Sequence, residues 1–223
     1  MTRTGILFEI DGTLFDTDAM RADALHAALA AEGVAVSRDD VARAHAGVTA
    51  LMTIDALPAA AGLDDTSREL VLLRSVRAIE TELDVRMPSF DVSARDAMLD
   101  AAAEFPLGVV TRATRGQAHR MLELAALESC VTVVRSLAEL PIERHAVAWT
   151  EAAARLLAER VAAIAPAAML RGARDAGLRT IVLADANGAG EHRSDATLAS
   201  LARLQPSHVL MAFTPLPDLT SLP

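Results

Sequence analysis

The chain has no lysine: all 21 of its basic residues are arginine. A compact ammonium charge is therefore excluded from any site it builds, and a planar guanidinium does not replace one atom for atom. A single cysteine, Cys130, excludes an internal disulfide. Its place ahead of Val131, Thr132, Val133 and Val134 predicts a buried structural thiol. The six histidines are scattered without metal-ligand spacing. Hydrophobic residues reach 52% and mean hydropathy is +0.29, yet no uninterrupted apolar run approaches the roughly 18 residues of a membrane span. A membrane partner is not expected. The formal net charge of −9 argues against nucleic acid as a partner. Met1-Thr2-Arg3-Thr4 lead straight into an apolar stretch, which predicts no signal peptide and a cytoplasmic location. At 223 residues the chain suits one large domain, or a core with a smaller insert.

The informative stretch runs from Gly5 to Asp18. Ile6, Leu7, Phe8 and Ile10 form a short apolar run bounded by Gly5 and Gly12, the pattern of a parallel strand buried on both faces. Its only polar positions are Glu9 and Asp11. A period of two puts both carboxylates on one side at the strand's carboxyl end, where open α/β sheets bind ligands. Two acids so placed suit phosphoryl transfer, one attacking phosphorus and the other moving the proton. Gly12 allows a sharp turn, and the amides of Gly12 and Thr13 are expected to face an anion.

The chain then turns helical. Thr17 or Asp18 is expected to cap a helix carrying Ala22, Leu25 and Leu29 on one stripe, with Gly33 stopping it. Ser37 begins a second helix, and Ser67 to Leu83 keeps a helical period. Gly47-Val48-Thr49 reads as a turn between helices, with a contact loop as the alternative. Pro88-Ser89-Phe90 is the return linker, followed by a helix over Val92 to Glu104. Four strands are predicted next, Leu107–Thr111, Val131–Val134, Arg160–Ile164 and Arg179–Leu183, with a last one at His208–Met211. A helix from Arg115 or Gly116 would offer its amino end to an anion beside Thr111, Arg112 and Thr114. Asp185 is expected to cap a loop or to reach the rim of the site. Asn187-Gly188-Ala189-Gly190 falls short of a nucleotide fingerprint, and Thr214 to Pro223 is a Pro-rich tail.

Glu9-Ile10-Asp11-Gly12-Thr13-Leu14-Phe15-Asp16-Thr17 resembles the first motif of the haloacid dehalogenase superfamily, DxDGT with a following hydrophobic residue, and departs from it only at the first acid. The resemblance implies an α/β, Rossmann-like core with a parallel sheet flanked by helices (1–16 and 89–223), and an inserted helical C1 cap (17–88). That is the branch of phosphoglycolate phosphatases and β-phosphoglucomutases. It implies a small phosphorylated metabolite as substrate, Glu9 at the nucleophile position and Asp11 as acid/base. Gly12, Thr13, Thr111 and Arg112 would bind phosphate, and Glu9 with Asp11 would hold Mg2+.

Two further family landmarks are altered. The basic residue expected near Pro141-Ile142-Glu143-Arg144-His145 has only Arg144 as a substitute. Counting back from the helix end at Ala176-Gly177, the acidic metal ligands of the fourth motif fall on Ile164 and Ala165. Three functions follow: a phosphatase of reduced activity, a module that binds a phosphorylated ligand without cleaving it, and a pseudoenzyme serving a protein partner or a homo-oligomer.

Overall fold

The computed structural model describes residues 2–86, 88–138, 140–183 and 194–214. Its centre is a parallel sheet in the order β3-β2-β1-β4-β5-β6. The strands are β1 (Thr4–Phe8), β2 (Leu107–Thr111), β3 (Val131–Ser136), β4 (Arg160–Pro166), β5 (Arg179–Leu183) and β6 (Ala196–Leu198). All pairings are parallel, with Phe8 opposite both Val109 of β2 and Ile164 of β4. Because β2 and β4 flank β1, the chain leaves β1 in opposite directions, and the crevice at its carboxyl end is the topological switch point.

Side-chain alternation on β1 builds both layers. Ile6, Phe8 and Ile10 face one buried cluster with Met98, Met121 and Leu122. Leu7 faces the other, with Val110, Trp149 and Leu170. Helices α5 (Val92–Glu104) and α6 (Arg115–Leu124) cover the first face, while α7 (His145–Arg155) and α8 (Leu170–Asp175) cover the second.

Between β1 and β2 the chain forms α1 (Asp18–Ala31), α2 (Arg38–His45), α3 (Ala50–Ala56) and α4 (Asp65–Val85). Leu25, Leu29, Val41, Ile54, Leu57 and Val71 make a third apolar cluster drawn from this inserted segment alone. Ser37, Thr49 and Asp64 cap α2, α3 and α4, and Gly33 ends α1's turn at φ +76°. The outgoing and returning linkers hold each other. Phe15 and Phe90 form an antiparallel bridge, and the amide of Asp16 donates to Ser89 O at 2.8 Å.

Several expectations are corrected. His208–Met211 belongs to a helix, α9 (Pro206–Met211), with Pro206 in its first turn and a reciprocal cap between Gln205 and His208. The last described strand is instead β6, too short to show a period. β3 runs on to Ser136 and β4 to Pro166. Thr17 precedes α1 without a side-chain capping bond, because its hydroxyl donates to Asp11 Oδ1. Cys130 is half-buried, held in a single 3-10 turn before β3. Asp185, the loop at Asn187–Gly190 and all but the first residue of the C-terminal tail lie outside the described residues.

Candidate functional site

At the carboxyl end of β1, the backbone amide of Glu9 donates to Ile164 O at 3.0 Å. This ties the strand end to β4. The Glu9 side chain, fully buried, turns back over its own backbone. Its Oε1 accepts from the amides of Ile10 and Asp11, each at 2.9 Å, and from Thr111 Oγ1 at 2.5 Å. Its Oε2 accepts from the amide of Arg112 at 2.9 Å. Two amides from the first motif, one hydroxyl and one amide from the end of β2 thus converge on a single carboxylate. Such a ring of donors suits an oxyanion, and a side chain of this protein fills it.

The methylene that distinguishes glutamate from aspartate extends the carboxylate by about 1.5 Å. Burial, and next the charge of Asp11, push its pKa up to about 7, against the pull of Arg112 and the hydrogen bond from Thr111.

Asp11 is equally buried and equally committed. Its Oδ1 accepts from Thr17 Oγ1. Its Oδ2 faces Arg21 Nε at 2.5 Å and Arg112 Nε at 3.5 Å. Burial alone would raise its pKa, but Arg21 and Arg112 outweigh it and hold the carboxyl below the ordinary range. The Arg112 guanidinium also pairs with Asp18 and donates through Nη1 to His45 O at 3.4 Å. It lies across Gly12, where any Cβ would collide with it. Arg21 continues the network by donating from Nη1 to Gln117 Oε1 at 3.1 Å.

The first motif's turn is closed on itself. The amides of Gly12 and Thr13, expected to face an anion, donate instead to Phe15 O at 2.8 Å and Ile10 O at 3.4 Å. The Thr13 hydroxyl donates to Glu9 O. Glu9, Asp11, Gly12, Thr13, Thr111 and Arg112 therefore come together. Arg144 does not join them: it is exposed at the end of a 3-10 turn (Ile142–Arg144) and lines a separate surface cleft with Arg115 and Glu151. The guanidinium groups at the site are Arg21 and Arg112. Arg21 escaped sequence reasoning although it stands four residues before Leu25, on the buried stripe of α1; a charged residue on an apolar face was the signal.

These residues do not fit the Mg2+ implied by the resemblance. Magnesium takes about six oxygens in near-octahedral array. Here both oxygens of Glu9 and Oδ1 of Asp11 already accept from protein donors, Asp11 Oδ2 is ion-paired with Arg21 and Arg112, and Ile164 and Ala165 of β4, both buried, offer no side-chain ligand. Among the described residues no group of three or more His, Cys, Asp or Glu side chains is placed to hold a metal ion.

Beside the carboxylates a cavity of about 290 Å³ opens between the inserted helices and α6. Leu25, Leu72, Leu73, Val76 and Ile79 give it apolar walls, and Arg21, His45, Arg112 and Gln117 line it as well. The loop at Gly47-Val48-Thr49 brings the inserted helices onto the core, since a Cβ on Gly47 would rest 3.4 Å from Ala168 Cβ.

Comparisons with known proteins agree with this architecture. Comparison with curated proteins finds no match. Among solved structures, CbbY from Rhodobacter sphaeroides in complex with phosphate is 21% identical with a TM-score of 0.68, over 91% of this chain and 96% of that one. A putative phosphoglycolate phosphatase from Lactobacillus plantarum is 15% identical at TM-score 0.76, over 96% and 100%. A β-phosphoglucomutase from Clostridium difficile is 10% identical at 0.71, over 95% and 97%. At such identities the likeness is one of fold. The family model described as haloacid dehalogenase-like hydrolase matches residues 6–155. With the first motif at the switch point of a parallel sheet and helices inserted after it, the chain belongs to the haloacid dehalogenase-like hydrolase family.

Proposed function

We propose that this protein is a haloacid dehalogenase-type phosphatase scaffold whose phosphate seat is filled by its own Glu9, and that it does not cleave phosphate esters by metal-assisted transfer. One observation carries the reading: the Glu9 carboxylate accepts from Ile10 N, Asp11 N, Thr111 Oγ1 and Arg112 N. These are the donors that a transferring phosphoryl group would need. A carboxylate bound by four of them is a poor nucleophile, and each charge-assisted bond must break before it attacks.

The surrounding charge supports the same conclusion. Glu9, Asp11 and Asp18 face Arg21 and Arg112, so the cluster is neutral or singly negative and offers no surplus cation to a phosphate dianion. Mg2+ has no vacant ligand set among the described residues. The natural division of labour is a core of 1–16 and 89–223 with a helical cap of 17–88 closing over the cavity. Arg112 Nη1 on His45 O and Arg21 on Asp11 tie the two together.

A second reading keeps the enzyme: a phosphatase of a small phosphorylated metabolite with Asp11 as acid/base. The names of the fold relatives and the retained Asp11, Thr13 and Thr111 favour it. Release of phosphate from a generic phosphomonoester in excess magnesium separates the two. Turnover at background supports the filled seat, whereas magnesium-dependent release abolished in Asp11→Asn supports the enzyme.

A further inference from the structure

The cavity between the cap helices and the core carries an unsatisfied group that the carboxylate network does not explain. His45 lines the cavity and is only 4% exposed. Its Nδ1 lies 2.8 Å from Thr53 Oγ1, and Thr53 Oγ1 donates its one proton to Thr49 O at 2.9 Å. Nδ1 must therefore be the protonated nitrogen, donating to Thr53, and Nε2 is a bare acceptor. Burial first, then Arg112 and Arg21, push the pKa of His45 down to about 3, so the ring is neutral. Nε2 is buried and has no partner, and neither has Nη2 of Arg21, which lines the same cavity. An acceptor and a donor left open on residues that line one apolar chamber, with Arg21 near enough to His45 to act on its pKa, match a group that both gives and takes a hydrogen bond.

Charge narrows the ligand further. Arg21 and Arg112 are matched by Asp11 and Asp18, and Glu69, also lining the cavity, is exposed and acidic. No net positive charge is available to an anion. The walls of leucine, valine and isoleucine suit an apolar body, and about 290 Å³ is at the small end of ligand pockets.

We propose that this cavity binds an uncharged, mostly apolar small molecule carrying one hydroxyl or amide group, which donates to His45 Nε2 and accepts from Arg21 Nη2, and that it discriminates against phosphate esters. The proposal rests on the reading of Glu9 as the occupant of the phosphate seat, and adds to it a ligand class.

Three probes of one shape test it on the full chain: benzyl alcohol, toluene and benzyl phosphate. Calorimetry or ligand-observed NMR should give benzyl alcohol a Kd about three- to tenfold lower than toluene, the worth of one hydrogen bond, and benzyl phosphate the highest Kd. The nitrogen-15 resonance of His45 Nε2 should move with benzyl alcohol and not with toluene, and His45→Phe should abolish the preference for the alcohol. Binding of none of the three, equal or tighter binding of benzyl phosphate, or an unmoved Nε2 resonance each overturns the proposal. Should His45→Phe fail to fold, the wild-type ranking and the Nε2 resonance decide it. Release of inorganic phosphate from benzyl phosphate would instead overturn the proposed function. Tight binding of benzyl phosphate without release would overturn the ligand class alone.

Discussion

Removing the Glu9 side chain should turn a filled seat into a phosphate-binding one. Glu9→Ala leaves Ile10 N, Asp11 N, Thr111 Oγ1 and Arg112 N facing an empty buried space. Each unpaired buried donor costs about 1–3 kcal/mol unless water or a ligand replaces the acceptor. The loss is partly offset, because the variant no longer buries a carboxylate whose pKa is pushed up to about 7. The same change removes one negative charge from beside Arg112, so an incoming anion meets less repulsion. At a hundred times its Kd, a ligand specific to the folded state stabilises it by about 2.7 kcal/mol. For a chain of this size that corresponds to a rise in Tm of roughly 5–10 °C. The assay is thermal unfolding against inorganic phosphate, with chloride at matched ionic strength as control. Glu9→Ala should show the phosphate-specific rise, while the wild type and Glu9→Gln, which keeps the seat filled, should not. An equal rise in the wild type, or a folded Glu9→Ala indifferent to phosphate, would refute the reasoning.

Other outcomes follow from the same geometry. Stability should depend on pH through Glu9: its pKa rises from 4.5 to about 7 on folding, so the folded state holds a proton that the unfolded chain has lost. The contribution of this group is then fully present below pH 4.5 and declines by roughly 3 kcal/mol as pH rises to about 7; His45, its pKa lowered to about 3, changes stability in the opposite sense below about pH 6.5 in both proteins, so urea midpoints of the wild type should fall relative to those of Glu9→Gln across that range. Asp11 works oppositely, its lowered pKa contributing stability above the ordinary carboxylate range that is lost at lower pH. Arg21→Met should destabilise by about 3–5 kcal/mol, since Asp11 loses its nearest counter-charge; denaturant unfolding checks this, and a loss below about 1 kcal/mol would contradict it. Restoring two acids, Glu9→Asp with Ala165→Asp, should create magnesium-dependent thermal stabilisation that neither single change gives. If the pair responds no more than the wild type, the fourth motif has been misplaced.

Much of this was legible in the amino-acid order because the signals are local. The apolar run before Asp11-Gly12-Thr13, the hydroxyl at the end of β2 and the Ala176-Gly177 helix end each depend on neighbours a few residues apart. The helices inserted after β1 announce themselves by period and by the helix start at Ser37, whereas the cap at Asp64 was not read from the sequence. What escaped depends on distance through space. Glu9 was readable as a departure from a motif, but the curling of its carboxylate onto donors of β1 and β2 depends on Thr111, 102 residues away. Arg21 pairs with Asp11 across the turn that leads from β1 into α1. Arg144 stood at the right place in the chain order, yet a 3-10 turn leaves it exposed. The stretch His208–Met211 has too few residues for a period to tell strand from helix, and Pro206 decided for the helix.

The most direct test of the central claim is a crystal structure of the wild type grown from concentrated phosphate. The account predicts the Glu9 carboxylate within hydrogen-bond reach of Thr111 Oγ1 and the amides of Ile10, Asp11 and Arg112, with no phosphate among them. A phosphate oxygen on Thr111 Oγ1 and Arg112 N, with Glu9 swung aside, would contradict it.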